Sequence, residues 1–209
     1  MTKVIVFEGS DGCGKSTQMQ RLADVARSTG QQVHCFRNPG GTPLAEHVRT
    51  QLLSQPEFTN WERAMGMLTA LSSTAQQLES IISDQQDHLI LLDRWVLSTL
   101  IYQGCVGGDS LQRIMDVARP ALGRFLNPDM YLVYQVPAEV AWNRIRDRGS
   151  ERTVFERRVG IEAVCAAYPF ARSLVAAPVI DIDGTPPEDN VWVHTALAVF
   201  GPHETCRNS

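Results

Sequence analysis

Five short runs of this chain are almost continuously apolar: Lys3–Glu8, Val33–Arg37, His88–Leu92, Met130–Val136 and Pro178–Asp183. A strand with one face in water alternates apolar and polar residues, whereas a strand covered on both faces does not. Stretches of helical periodicity separate the runs. Gln18–Thr29 carries Leu22, Val25 and Ala26 on one side and stops at Gly30, a residue suited to a helix C-terminus. A long helix is predicted to begin near Thr59, which has capping-box spacing with Glu62. Its apolar stripe is Leu68, Leu71, Ala75, Leu78 and Ile82. Further helices are predicted at Ser110–Ala118, Ala138–Arg148 and Phe155–Val175. Strand–helix alternation of this kind predicts an α/β fold: a five-stranded parallel sheet flanked by helices in three layers, with right-handed crossovers.

A length of 209 residues suits a single domain, expected over residues 1–200 with a polar tail at 201–209. A hydrophobic fraction of 44% excludes a disordered chain. No apolar run reaches the roughly 18 residues of a membrane span, and the first residues are interrupted too soon for a signal peptide. The five cysteines are Cys13, Cys35, Cys105, Cys165 and Cys206. They form no CxxC pair and suggest neither a zinc site nor a disulfide framework. Reduced thiols in the cytoplasm are the expectation. Nineteen basic against 23 acidic side chains give a net charge of -4, which argues against a nucleic-acid partner.

The first apolar run leads straight into Gly9-Ser10-Asp11-Gly12-Cys13-Gly14-Lys15-Ser16, followed by Thr17. This fits GxxxxGK[ST] between a strand and a helix, the context in which that pattern cradles nucleotide phosphates. Glycines let backbone N–H groups curl around phosphate oxygens, and the helix N-terminus adds partial positive charge. Lys15 is expected to bridge the β- and γ-phosphates of ATP, and the Ser16 hydroxyl to ligate Mg²⁺. The loop specifies a nucleoside triphosphate and leaves the phosphoryl acceptor open.

Three further segments bear on the acceptor: Arg37-Asn38-Pro39-Gly40-Gly41-Thr42, the run Asp93-Arg94-Trp95-Val96-Leu97-Ser98-Thr99-Leu100-Ile101-Tyr102-Gln103, and the arginine-rich stretch 144–158. With Phe7-Glu8-Gly9-Ser10-Asp11, they resemble the thymidylate kinase family in order, from about residue 3 to about residue 190. The resemblance implies a P-loop kinase fold with an arginine-rich lid, and transfer of phosphate from ATP to dTMP. It implies that Asp93 holds Mg²⁺ or its waters, and that Arg94 and Arg37 clamp the acceptor's phosphate. It also implies that Asp11, Trp95, Ser98, Tyr102 and Gln103 line the acceptor, with Tyr102 crowding C2′ against ribose. Residues 144–158 hold six arginines against three acidic residues. A lid arginine, Arg148 or Arg152, would meet the transferred phosphoryl group, because Gly12 replaces a loop arginine that some family members carry. A homodimer is a further implication.

The pattern breaks at the base. The family places a phenylalanine and, four residues later, an arginine on the long helix, to stack on thymine and to read its O4. Those positions fall here on Ala70 and Thr74. Asn38, Ile101 and Gln135 depart from the family pattern as well. Three readings remain open. The alignment is displaced by one helical turn; thymine is read otherwise, through Trp95 or Gln103; or the acceptor is a 5-modified deoxyuridylate such as 5-hydroxymethyl-dUMP, or another monophosphate. Two competitors stand beside them: a kinase of hydroxymethylated bases in DNA, and a nucleotide-binding regulator without transfer activity.

Overall fold

The structure is a computed structural model that describes residues 1–55, 57–84, 86–148 and 158–201. Five parallel strands form one sheet: β1 (Lys3–Gly9), β2 (Gln32–Arg37), β3 (His88–Asp93), β4 (Met130–Gln135) and β5 (Val179–Asp183), in the spatial order β2-β3-β1-β4-β5. All five fall on the apolar runs to within a residue or two. Successive side chains of a strand point to opposite faces, so each run feeds two cores. Val4 and Val6 of β1 pack with Ile90, Leu92, Tyr131 and Val133 on one face. Ile5 and Phe7 pack with Leu89, Leu91, Leu132 and Tyr134 on the other. This two-sided burial is why the runs do not alternate.

The helices are α1 (Lys15–Ser28), α2 (Pro43–Ser54), α3 (Asn60–Ile82), α4 (Val96–Thr99), α5 (Leu111–Leu122), α6 (Ala138–Asp147), α7 (Arg158–Ala167), α8 (Ala171–Leu174) and α9 (Glu188–Phe200). Between α4 and α5 the chain winds as a π-helix over Leu100–Val106. Helix α1 begins three residues before the expected Gln18, directly at the loop lysine. Its Val25 was expected on the packed side with Leu22 and Ala26 but is 38% exposed; it sits at the edge of the apolar stripe. The expected helix 155–175 is broken: α7 ends at Ala167, and a 3-10 turn, Tyr168–Phe170, precedes α8. Pro169 lacks the N–H that a continuous helix would require there. Residues 155–157 lie outside the described residues, as do Arg152 and Cys206. Helices α2 and α9 were not foreseen from periodicity.

Helix α3 starts as its sequence predicts. The Thr59 side chain accepts from the Glu62 N–H at 3.2 Å, and the Glu62 carboxylate accepts from the Thr59 N–H at 2.7 Å. Among the described residues, no helix is long and apolar enough to cross a membrane. Thr59→Ala removes one half of this reciprocal cap and is expected to cost about 1 kcal/mol, seen as a lower urea midpoint with an unchanged slope.

Candidate functional site

In a parallel sheet the strand C-termini lie along one edge, and ligands bind in the crevice outside it. Here β1 lies between β3 and β4, and register places Phe7 and Arg37 both opposite Asp93. The Gly9–Ser16 loop, Asn38 and Arg94 therefore emerge side by side.

The loop is shaped by its glycines. At Gly9 φ is +141°, and a Cβ would meet the Tyr134 carbonyl and, at 2.7 Å, the Cys13 sulfur. At Gly12 φ is +80°, and a Cβ would strike the Ala141 carbonyl, so this backbone leaves no room for an arginine at position 12. Helix α1 starts on Gly14 with no side-chain cap and no acidic residue in its first turn. Its first N–H groups are thus left for an anion. Cys13 is buried, and burial pushes its thiol pKa up, so it is a packing residue and a poor nucleophile.

Charged groups gather just behind the loop. Lys15 Nζ lies 3.8 Å from Asp11 and 4.0 Å from Asp93, and donates to the Ser10 carbonyl at 3.4 Å. The Ser16 hydroxyl donates to Asp93 Oδ2 at 2.6 Å. A hydroxyl and a carboxylate are the hard oxygen donors that Mg²⁺ prefers, so this pair fits a magnesium site. Among the described residues, no group of three or more His, Cys, Asp or Glu side chains is placed to hold a metal. The remaining ligands would have to be phosphate oxygens and water.

Arg94 is held from several sides. It is a non-glycine residue at φ +70°, a conformation that costs of order 1 kcal/mol. Its guanidinium donates to Asp11 at 2.7 Å, to the Ser98 hydroxyl at 3.1 Å and to the Tyr168 hydroxyl at 3.4 Å. It also lies 5.1 Å from the centre of the Tyr102 ring. Its carbonyl accepts from the Asn38 side chain at 2.9 Å. Beneath it sits Glu8, which has no exposed surface. One Glu8 oxygen accepts from the N–H groups of Trp95 and Ser98 at 2.8 and 3.1 Å; the other accepts from the Ser98 and Tyr168 hydroxyls at 2.6 and 2.9 Å. Burial pushes its pKa up, and Arg94 and these donors only partly draw it back.

Two cavities flank the loop. The first, of about 190 Å³, extends from Asp11 and Arg94 between α2, α3 and the π-helix. Its wall includes the expected Trp95, Ser98, Tyr102 and Gln103. Trp95 is fixed there by its indole N–H, which donates to the Phe125 carbonyl at 2.7 Å. The second cavity, of about 270 Å³, opens beyond Gly14 and Thr17, towards Gln18, Arg144 and Glu188. Arg144 ties this side to the loop by donating to the Gly12 and Gly184 carbonyls at 3.4 and 3.0 Å.

Three expected residues are placed differently. Ala70 and Thr74 have no exposed surface and do not line the first cavity. Thr74 is turned to Asn38 Oδ1 and the Ala70 carbonyl, at 3.1 and 3.2 Å. Met67 and Leu71 form the wall on α3 instead. Arg37 is 55% exposed and ion-paired with Glu46 at 3.3 Å, outside the lining. Arg49 was not foreseen: it lines the cavity, donates to the Pro39 carbonyl at 3.2 Å and feels the charges of Arg37, Arg94 and Asp11. No periodicity signals it, because α2 itself was not foreseen. Glu8 was legible in one respect, as a carboxylate inside a buried run.

A family model described as thymidylate kinase matches residues 7–172. The chain belongs to the thymidylate kinase family. A protein named thymidylate kinase from Thermosipho africanus is 32% identical over 90% of this chain and 92% of its own length. Others of that name, from Ectopseudomonas mendocina and Pseudomonas syringae, are 36% and 37% identical, each over 78% of this chain and 79% of their own. As a member of the family, the chain is a phosphotransferase of the nucleoside monophosphate kinase class.

Burial pushes the Asp11 carboxyl up, but Arg94, Lys15 and Arg148 outweigh it and hold the group well below the usual carboxylate range. A lowered pKa means that the ionised form favours the folded state. Asp11 therefore contributes stability above the ordinary aspartate range, about pH 4. That contribution is lost only as pH falls through the lowered value. A carbon-13 carboxyl titration is expected to find Asp11 still ionised at about pH 4, and its midpoint is expected to climb in Arg94→Ala.

Proposed function

We propose that this protein transfers the γ-phosphoryl group of ATP to dTMP, giving ADP and dTDP. The observation that carries the reading is the pair of cavities on either side of one phosphate loop, with the Asp11–Lys15–Arg94 cluster between them. Two phosphorylated molecules laid end to end in such a cleft bring donor and acceptor phosphates together.

In this reading the second cavity takes the adenosine, and the loop from Gly9 to Thr17 wraps the donor phosphates. Lys15 follows the charge that moves towards the leaving ADP. Arg94 and Arg49 hold the acceptor phosphate, and Arg37 joins them by exchanging Glu46 for phosphate. Ser16 and Asp93 hold Mg²⁺, which when bound offsets the negative charge of the donor phosphates. An oxygen of the acceptor phosphate attacks the γ-phosphorus, and the bond from that phosphorus to the β–γ bridging oxygen breaks. The attacking oxygen is already ionised near neutral pH, so no general base is required. Tyr102, beside Arg94, is assigned to the sugar, where its ring leaves no place for a 2′-hydroxyl. Arg148 is the preferred lid arginine, since its charge already reaches Asp11.

Coupled ADP release with a panel of monophosphates, with and without DNA, tests the reading. Release is expected with dTMP and without DNA. Release without any acceptor would indicate an ATPase, and release only with DNA a base kinase. Lys15→Ala is expected to lower kcat by about 10²-fold or more, while Arg94→Ala is expected to act mainly on kcat/KM for the acceptor.

A further inference from the structure

Away from the charged cluster the wall of the first cavity changes character. Asn38 is committed to Arg94 and Thr74, and Arg49 faces the charges of the phosphate end. Ser98 and Tyr102 are engaged by Arg94 at that same end. What remains is apolar, with Leu53, Met67 and Leu71 prominent, except for two polar side chains, Thr99 and Gln103. They are four residues apart and only 3% and 1% exposed. Neither side chain has a hydrogen-bond partner among the described residues, and neither contributes an atom that is sealed off from the cavity. Buried polar groups in native proteins are almost always paired. An amide and a hydroxyl left open inside one cavity are therefore groups waiting for a ligand.

Both groups are neutral, and each can donate or accept. A carboxamide turned through half a rotation exchanges its oxygen for its nitrogen, and a hydroxyl rotates to suit. A 4-oxo pyrimidine presents N3–H as donor beside the O4 acceptor. A 4-amino pyrimidine presents N3 as acceptor beside an N4–H donor. Gln103 matches the first edge in one orientation and the second in the other, with Thr99 completing either. A guanidinium reading this edge could only donate, and would leave the 4-amino group unsatisfied. The resemblance calls for such an arginine at position 74, but the residue is Thr74, buried and turned to Asn38.

We propose that the acceptor site takes both 4-oxo and 4-amino pyrimidine deoxynucleoside monophosphates, read by Thr99 and Gln103. The inference rests on the kinase reading above. The test compares kcat/KM for dTMP and 5-methyl-dCMP, which differ only along the N3–C4 edge. Values within about tenfold of each other are expected, against the 10⁴-fold or more reached by sites of fixed polarity. A preference for dTMP beyond about tenfold overturns the proposal and leaves the kinase reading standing, whereas activity on neither nucleotide overturns both. Gln103→Leu is expected to raise KM for both nucleotides by about tenfold, with KM for ATP unchanged. A rise for dTMP alone, no rise, or an equal rise for ATP overturns the assignment to Gln103. If that variant does not fold, the wild-type ratio decides.

Discussion

The site hangs on a buried anion that never touches a substrate in the proposed reaction. Glu8 lies in the central strand, and four donors converge on its two oxygens. Two of those donors are backbone N–H groups of the segment that follows β3. Their bonds hold that segment against β1 and so fix where Arg94 leaves the sheet. The Ser98 and Tyr168 hydroxyls each give their proton to Glu8 and turn their lone pairs to the Arg94 guanidinium. The arginine is thus oriented by groups whose own direction the carboxylate has set. Left unpaired, a carboxylate in this place would cost several kcal/mol. Its negative charge beside Arg94 makes burial of the cation tolerable as well, and the strained backbone at Arg94 is carried by the same network.

This arrangement accounts for the position of Asp11. The arginine needs an anion on its solvent side while no phosphate is bound, and Asp11 supplies one at 2.7 Å. Lys15 is shared in the same way between Asp11 and Asp93. Carboxylates therefore neutralise the cations without releasing them from the cleft. An incoming phosphate meets donors already in place, and little orientational freedom remains to be lost on binding. The pairing is reversible because 32% of the Asp11 side chain is exposed, and water can take over its solvation when the guanidinium turns to a phosphate.

Strands and loop were legible in the sequence because their signals are local. Two-sided burial writes continuous apolar runs, and GxxxxGKS sits between a strand and a helix. The α3 start was legible because Thr59 and Glu62 reciprocate across three residues. Helices α2 and α9 were not. The first follows a Pro-Gly-Gly segment that reads as loop; in the second, Val193, Leu197 and Phe200 remain exposed while Val191 and Val199 are buried, so its apolar residues do not mark out a single face. Arg49 was lost with its helix. The roles of Glu8 and Tyr168 depend on residues 160 positions apart meeting at 2.9 Å, which no spacing rule reports. Ala70 and Thr74 were found as departures, yet their small side chains do not enlarge the cavity. Met67 and Leu71 close over that side, and Thr74 is spent on Asn38.

In the proposed reaction the first cavity holds the acceptor, and its two ends then obey different physics. At the phosphate end, full charges at fixed positions recognise a group that every nucleotide shares, and a displaced arginine forfeits most of its value. Away from that end the wall is apolar with two groups of reversible polarity, and in the proposed reading the base is recognised by shape and by a hydrogen-bond pattern that can invert. A charged reader on α3 would have coupled the ends, since a cation at position 74 would stand near Asn38 and, through it, the Arg94 carbonyl. With Thr74 there, the Asn38 amide is held by a neutral hydroxyl and the grip on phosphate is insulated from whatever base is bound. Changes at Met67, Leu71, Thr99 or Gln103 can therefore alter the choice of base while the Glu8–Arg94–Asp11 network keeps its geometry.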